Sequence, residues 1–178
     1  LEGSQSVRLV MDVQDRRFRV MHQPERLRDN LGKLIRGAQV FEVPVLVTEQ
    51  YPEGLGRTVP EISALLTAVT PYSKLHFNCC LEPAFTEALT ALGRRQVIVS
   101  GIEGHICVYQ TAAALVAGGY EVHVASDAVS SRTPENLEIG LNLMRQAGAT
   151  VSGVETVLFE LLKVGSGDKF RAIRKIVQ

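Results

Sequence analysis

The chain has 178 residues, of which 46% are hydrophobic and 21% are charged, and its 19 basic residues balance its 19 acidic ones. This composition excludes a disordered chain and fits one folded domain over residues 1–178. Balanced charge provides no strong positive field, so we expect a small-molecule substrate and not a nucleic acid as partner. No apolar run reaches the about 18 residues of a membrane span, so no membrane partner is expected.

Short apolar, β-branched runs recur along the chain between longer segments of helical period. Four runs predict strands over residues 7–13, 45–48, 96–100 and 121–125. Weaker patterns over residues 72–76 and 150–152 bring the total to about six. Strands that alternate with helices are typical of βα units. The predicted fold class is therefore α/β, with a mostly parallel, Rossmann-like sheet.

The segments between these strands have the pattern of helices. The first, over residues 24–43, places Leu27, Leu31 and Leu34 on one apolar face. Proline in the first turn and glycine after the last turn are typical helix boundaries. With these signals, further helices are predicted over residues 83–92, 105–117, 133–147, 154–162 and 168–177. One irregular stretch, residues 49–60, follows the second strand, where open α/β sheets bind ligands.

The cysteines, histidines and glycines show no cofactor motif. Cys79, Cys80 and Cys107 form no disulfide framework, and neither they nor the four histidines have metal-ligand spacing. No dinucleotide fingerprint or P-loop occurs. We therefore expect no metal and no cofactor. Unpaired cysteines predict a reducing, cytoplasmic location, while the start at Leu1 leaves an upstream organellar targeting segment open.

Cys107 is placed well for nucleophilic chemistry. It follows a predicted strand and a turn that contains Gly101 and Gly104, and so falls in the first turn of a helix. Free amides and the helix dipole favour a thiolate there, and the same amides could receive an oxyanion. The alternative, which spacing alone favours, is an inert buried cysteine.

Two charged residues lie near predicted strand ends. Asp12 follows apolar residues of the first strand, where a carboxylate is costly to bury unless it is paired or borders a cleft. Lys74 falls in the weak strand over residues 72–76. Each has an ordinary alternative, Asp12 as a turn residue and Lys74 as a solvated surface charge. Asp127 is interpreted as a residue that holds the turn after its strand.

Three segments, in this order, resemble the isochorismatase-like (cysteine hydrolase) superfamily. They are LVMDVQ at residues 9–14, Lys74 before Phe77 and Asn78, and GIEGHICV at residues 101–108. DAVSSR at residues 127–132 extends the resemblance, which covers nearly the whole chain. The segment PVLVTEQYPEGLG at residues 44–56 is similar to the branch of isochorismatase domain-containing proteins.

The resemblance implies a three-layer α/β/α sandwich and a triad in which Cys107 attacks, Asp12 takes its proton and Lys74 supports the charges. It also implies a cis peptide between Ile102 and Glu103, an oxyanion hole from the amides of Glu103 and Cys107, and a homo-oligomer. The residues expected to line the substrate pocket are Gln14, Phe18, Gln50, Tyr51, Leu55, Phe77 and His105.

Two departures from the superfamily pattern narrow the expected chemistry. Thr48, Glu49, Gln50 and Tyr51 stand where nicotinamidases carry metal ligands, which disfavours metal-dependent nicotinamidase activity. Gly104 stands where many relatives carry Thr or Ala, which predicts a looser turn. True isochorismatases lack the cysteine, so Cys107 favours amide or ester chemistry over cleavage of a vinyl ether.

The expected function is a metal-independent cysteine hydrolase of a small amide, ester or related carbonyl compound. A rival from another class is a non-catalytic or redox-sensing interaction protein that retains the fold. A nucleic-acid hydrolase is a third possibility, which the neutral charge disfavours. A plugged pocket at Cys107, or a Lys74 that points to solvent, would favour the non-catalytic rival.

Overall fold

The computed structural model describes residues 1–178 and contains one six-stranded sheet. The strands are β1 Ser6–Met11, β2 Val45–Gln50, β3 Tyr72–Lys74, β4 Gln96–Ile102, β5 Glu121–Ser130 and β6 Thr150–Ser152. All neighbours are parallel, and the strand order is β3-β2-β1-β4-β5-β6. In this doubly wound order the direction of winding reverses between β1 and β4. The α/β fold class and all six strands are confirmed.

Nine α-helices connect and cover the strands. They are α1 Asp15–Phe18, α2 Pro24–Val40, α3 Pro52–Leu55, α4 Pro60–Ser63, α5 Pro83–Ala91, α6 Tyr109–Ala117, α7 Pro134–Gln146, α8 Val154–Leu162 and α9 Gly167–Val177. A π-helical turn, Gly104–Val108, precedes α6, so the helix predicted over residues 105–117 is in two parts. Residues 49–60 are more regular than predicted, because β2 continues to Gln50 and Pro52 begins α3.

Each face of the sheet has its own apolar core, which confirms the three-layer sandwich. On one face Val10 and Ile98 pack with Leu31 of α2 and Leu158 of α8. On the other face, residues such as Leu9 and Val99 pack with Phe85 of α5, Leu115 of α6 and Met144 of α7. Every residue of β1 is buried, as expected for a central parallel strand. None of the helices is long and apolar enough to span a bilayer.

Arg8 is a charged residue inside β1. Its residue exposure is 0%, and its three guanidinium nitrogens have no hydrogen-bond partner. Burial lowers the pKa of Arg8 to about 9, because an apolar surrounding disfavours the cation. The buried guanidinium therefore opposes folding.

Asp127 has a structural role, although a different one from the turn predicted. It lies within β5, which continues to Ser130. Its Oδ1 accepts a hydrogen bond of 2.8 Å from the backbone nitrogen of Val154, the first residue of α8. A carboxylate at this position satisfies a free amide of the helix start. Asp127 thus fixes the beginning of α8 against the sheet.

Candidate active site

The carboxyl edge of the sheet brings together residues from three strands. Asp12 directly follows β1, Lys74 ends β3, and Cys107 lies in the π-helical turn that follows β4. Because β1 and β4 flank the reversal of winding, a crevice is expected at their carboxyl ends. The three residues that the resemblance singled out therefore share one edge of the sheet.

The backbone at these strand ends has two unusual conformations. Asp12 has a φ of 54°, and its amide nitrogen donates to the carbonyl oxygen of Thr48 at 3.0 Å. Aspartate is among the few non-glycine residues that adopt this left-handed region readily. Gly101 has a φ of 120°, and a Cβ there would lie 2.1 Å from the carbonyl oxygen of Met11. Only glycine allows β4 to approach β1 this closely.

Asp12 and Lys74 form a buried ion pair. Nζ of Lys74 lies 2.8 Å from Oδ2 of Asp12, and the two side chains are 1% and 5% exposed. The other carboxylate oxygen, Oδ1, accepts a 2.7 Å hydrogen bond from the hydroxyl of Thr48. Burial of either charge alone would be costly, so each stabilises the other. Lys74 is not the solvated surface lysine of the alternative interpretation.

Further contacts hold the Lys74 ammonium in place. It donates to Oε1 of Gln50 at 2.5 Å and to the carbonyl oxygens of His76 and Phe77 at 3.2 and 3.3 Å. Burial lowers the pKa of Lys74, but the Asp12 carboxylate, with further contributions from Cys107 and Cys79, raises it more, and the net direction is upward. Lys74 is therefore a fixed cation at neutral pH.

The thiol of Cys107 is buried beside this ion pair. Burial is the largest influence on its pKa, the charge of Asp12 adds to it, and Lys74 offsets it only in part, so that the pKa rises to about 12. The helix position predicted the opposite direction. The difference arises because burial and the Asp12 carboxylate outweigh the free amides of the turn. Cys107 is thus a neutral thiol that requires a base at the moment of attack.

A cis peptide bond joins Ile102 and Glu103 at the entrance to the π-helical turn, at the position that the resemblance implied. The carboxylate of Glu103 is 2% exposed and lies between two arginines. Arg17 of α1 bonds Oε1, and Nε of Arg132, beyond β5, donates to Oε2 at 3.0 Å. The Glu103 carbonyl also accepts from the amides of Ile106 and Val108 at 3.0 and 3.2 Å. The ion pairs of Glu103 therefore connect the π-helical turn to α1 and to the segment after β5.

A cavity of about 400 Å³ opens at Asp12 and Cys107. This volume lies within the range of small-molecule sites. Four of the seven residues expected to line the substrate pocket are on its wall, namely Gln14, Gln50, Leu55 and Phe77. The remaining wall residues are Arg16, Arg17, Val20, Ile102, Glu103, Ile106 and Arg132. The pocket beside Cys107 is open.

Three residues expected in the pocket lie elsewhere. Phe18 packs against the core on the α2 face. Tyr51 is 51% exposed, with its ring over Gly54, where an added Cβ would lie 2.1 Å from Tyr51 Cε1. His105 turns away to Ser131, with 3.0 Å between Nδ1 and Oγ. The resemblance indicates where these residues lie along the chain but not the direction of their side chains, which explains these differences.

Gln14 joins the two loops that border the cavity. Its Nε2 donates to the carbonyl oxygens of Gln50 and Gly56 at 2.9 and 2.7 Å, and its Oε1 accepts from the amide of Gln50 at 2.8 Å. Both polar atoms of the Gln14 side chain are therefore bonded to backbone atoms. Gln14 therefore shapes the wall of the cavity. No group of three or more His, Cys, Asp or Glu side chains is arranged to hold a metal ion.

The sequence interpretation missed the arginines of the cavity wall. Arg16 and Arg17 come from the short helix α1, and Arg132 comes from the segment after β5. The string DAVSSR contained Arg132, but nothing in it indicated that its partner would be Glu103. A long-range ion pair of this kind follows only from the strand order.

A doubly wound parallel sheet with a cavity at its carboxyl edge is typical of α/β enzymes. The isochorismatase domain family matches residues 6–156. The chain belongs to the isochorismatase family.

The chain is similar to relatives and solved structures along almost its full length. Isochorismatase domain-containing protein 2 of Danio rerio is 33% identical over 172 residues, which are 97% of this chain and 86% of the relative. The structure of the MAR1 ribonuclease of Caenorhabditis elegans superposes with a TM-score of 0.93 at 32% identity, over 99% of this chain and 91% of the other. The YcaC gene product of Escherichia coli, an octameric hydrolase of unknown specificity, has a TM-score of 0.93 at 23% identity over 99% and 88% of the two chains.

Proposed function

We propose that this protein is a metal-independent cysteine hydrolase of a small amide, ester or related carbonyl compound. The observation that carries the proposal is the placement of a thiol, a carboxylate and an ammonium group together beside an open cavity. Cys107 is the nucleophile, Asp12 is the general base, and Lys74 is the cation that compensates the developing charges.

In the proposed first step, the Cys107 sulfur attacks the carbonyl carbon while Asp12 accepts the thiol proton. The tetrahedral intermediate collapses when the amine or alcohol departs with the proton that Asp12 returns. Water, deprotonated by Asp12, then cleaves the thioester and releases the acid, and Asp12 returns that proton to the departing Cys107 sulfur. The high pKa of the resting thiol favours proton transfer during attack over a preformed thiolate.

The oxyanion is assigned to the backbone amides of Glu103 and Cys107. The arginine contacts of Glu103 support this assignment, because preorganised donors stabilise a transition state best when they do not move. Lys74 contacts Asp12 but is not on the cavity wall. Its ammonium group has four acceptors, on Asp12, Gln50, His76 and Phe77, so it remains charged throughout the cycle. Its role is electrostatic.

Two features oppose the non-catalytic rival. The cavity at Cys107 is open, and the side chain of Lys74 is buried and paired with Asp12. An interaction protein that had lost its substrate would not need a buried ion pair, which is often no more stable than apolar residues of the same volume.

The test is a screen of small amides and esters against the wild-type protein, Cys107→Ala and Cys80→Ala. Cys80 is a matched control because it is a partly buried thiol that the proposed mechanism does not use. We expect Cys107→Ala to abolish turnover and Cys80→Ala to retain it. Trapping of a thioester on the peptide that contains Cys107 would identify the intermediate. Full turnover by Cys107→Ala would overturn the nucleophile assignment.

RNA is a second candidate substrate, because the similar Caenorhabditis elegans structure is that of a ribonuclease and three arginines line the cavity. RNA cleavage that is lost in Cys107→Ala and suppressed by salt would favour it over a small carbonyl compound. The neutral charge of the chain makes the small substrate the preferred proposal.

The proposal includes a homo-oligomer in a reducing, cytoplasmic compartment. The octameric state of the Escherichia coli neighbour supports assembly, and the three free cysteines suit a reducing environment. Sedimentation of the purified protein tests the first point, and imaging of the tagged protein in its own cells tests the second.

A further inference from the structure

Three arginines surround the cavity in a chain whose formal net charge is zero. The acidic groups on the same wall are Asp12 and Glu103. Lys74 already neutralises Asp12, which leaves one carboxylate against three guanidinium groups. The entrance to the site therefore has an excess of positive charge that the protein does not itself compensate.

The three arginines are not equivalent. Arg17 and Arg132 share the carboxylate of Glu103, so their charge is partly compensated and their positions are fixed by that ion pair. Arg16 forms no ion pair with any carboxylate. Its Nη1 donates to the carbonyl oxygen of Gly54 in α3 at 2.5 Å, and the side chain lines the cavity. The carbonyl orients the guanidinium without neutralising it, and its other N–H donors remain available.

Beside the charged groups and the amides of Gln14 and Gln50, the wall is apolar. Val20, Leu55 and Ile106 contribute to it, in a volume of about 400 Å³. A guanidinium group binds a carboxylate through two parallel hydrogen bonds. A ligand that suits this wall has a small body near Cys107 and one carboxylate that reaches Arg16.

We propose that the substrate is a small amide or ester that also carries a carboxylate, and that Arg16 is the residue that selects this negative charge. The inference rests on the proposed hydrolase function and deepens it by naming the substrate class. Arg16 forms no hydrogen bond or ion pair with Cys107, Asp12 or Lys74, and it is assigned to binding and not to the chemical step.

Alkylation of the wild-type protein by iodoacetate and by iodoacetamide tests the charge selection without a known substrate. The two reagents differ little in size, and each transfers its methylene carbon to the cysteine sulfur with release of iodide. We expect the ratio of the iodoacetate rate to the iodoacetamide rate to be about tenfold higher at Cys107 than at Cys80, from one added charge interaction at a partly screened site. Mass spectrometry of the cysteine peptides measures both rates in one sample.

The matched variants are Arg16→Gln and Arg19→Gln. Arg19 follows the same short helix, but it pairs with Asp15 at 2.8 Å and is not on the cavity wall. We expect Arg16→Gln to reduce the rate ratio at Cys107 to the value at Cys80, Arg16→Lys to restore part of it, and Arg19→Gln to leave it unchanged. An equal ratio at the two cysteines of the wild-type protein, or an unchanged ratio in Arg16→Gln, overturns the inference even if Cys107 is essential for turnover.

Binding of succinate to Cys107→Ala, measured by calorimetry, decides the question if neither reagent modifies Cys107. If the added substitution Arg16→Gln raises the Kd for succinate about tenfold or more, the carboxylate site is supported, because this is the scale of a lost charge-assisted pair. Absent binding, or equal binding by both proteins, overturns it. Turnover retained by Cys107→Ala would instead refute the hydrolase mechanism, so the two proposals fail by different observations.

Discussion

Nζ of Lys74 lies 2.8 Å from Oδ2 of Asp12, and neither side chain is more than 5% exposed. Asp12 directly follows β1 and Lys74 ends β3, and β2 lies between these two strands. The pair therefore links the proposed chemistry to the stability of this half of the sheet. A change to one partner leaves the other charge buried without compensation.

We expect Lys74→Met to lower the free energy of unfolding by about 3–5 kcal/mol, the usual cost of breaking a buried pair from one side. Asp12→Asn should also be destabilising. The double variant Asp12→Asn/Lys74→Met should be more stable than the sum of the single effects predicts, because it buries no unpaired charge. Urea unfolding of the four proteins gives the coupling energy. Additive effects within about 0.5 kcal/mol would mean that the two groups do not interact.

Asp12→Asn should increase the thiolate fraction of Cys107 and yet decrease the turnover. Burial first, and then the Asp12 charge, raise the pKa of Cys107. Removal of that charge should lower the pKa of Cys107 and so increase the thiolate fraction at any pH below about 12. Turnover should nevertheless fall about 10²–10⁴-fold, because the general base is lost.

The two quantities are measured separately. Ultraviolet absorbance of the thiolate against pH gives the thiol pKa, after subtraction of the same titration in the Cys107→Ala background. This subtraction removes Cys79 and Cys80, whose pKa values burial raises to about 12 and about 11. Undiminished turnover in Asp12→Asn would contradict the assignment of Asp12 as the base. A raised thiol pKa would contradict the electrostatic effect of Asp12 on Cys107.

Local patterns in the sequence were sufficient for the elements but not for their long-range contacts. The alternation of β-branched runs with helical segments predicted all six strands, since each run depends on neighbours within a few residues. The ordered segments around Asp12, Lys74 and Cys107 predicted the site by resemblance. Glu103 with Arg17 and Arg132 could not be predicted, because these residues meet only through the strand order. The thiol pKa likewise depends on burial, which the sequence does not display.

Arg8→Met should stabilise the protein. The Arg8 guanidinium is fully buried without a partner, and burial of an unsatisfied polar group costs about 1–3 kcal/mol. Methionine is flexible and apolar, and it fills much of the same volume. We expect the free energy of unfolding at pH 7 to rise by about 1–3 kcal/mol. The matched control is Arg95→Met, which changes an exposed arginine without an ion pair and should stay within about 0.5 kcal/mol of the wild type.

The advantage of Arg8→Met should depend on pH. Burial lowers the pKa of Arg8 to about 9, so the folded protein releases this proton at a lower pH than the unfolded chain does. A cation with a lowered folded pKa destabilises the fold fully below that pKa, and the penalty decreases as pH rises through it. The difference in free energy of unfolding between Arg8→Met and the wild type should therefore be constant up to about pH 8 and shrink above about pH 9. Denaturant titrations across this range measure it, and a difference that grows with pH would refute the explanation.

Gly140 of α7 tests whether close helix packing holds the nucleophile turn. A Cβ at this position would lie 2.5 Å from the carbonyl oxygen of Gly104 and 2.7 Å from the amide nitrogen of His105, and both are backbone atoms of the turn. Gly104 is itself closely packed, with Leu137 and Val129 at 3.1 Å from a Cβ added there. A side chain at Gly104 would therefore displace Leu137 of α7, and the absence of a side chain there allows α7 to pack against the turn.

Glycine to alanine inside an exposed helix usually stabilises it by about 1 kcal/mol, through helix propensity. At Gly140 the clash with fixed backbone should outweigh this gain, since overpacking costs about 1–3 kcal/mol. We expect Gly140→Ala to lower both the free energy of unfolding and the turnover number, because α7 must move away from the turn that carries Cys107. Gly165→Ala is the control, since nothing lies within 4 Å of an added Cβ there. Assay of both variants beside thermal unfolding separates the effects, and a Gly140→Ala protein as active as Gly165→Ala would show that the turn keeps its geometry without this packing.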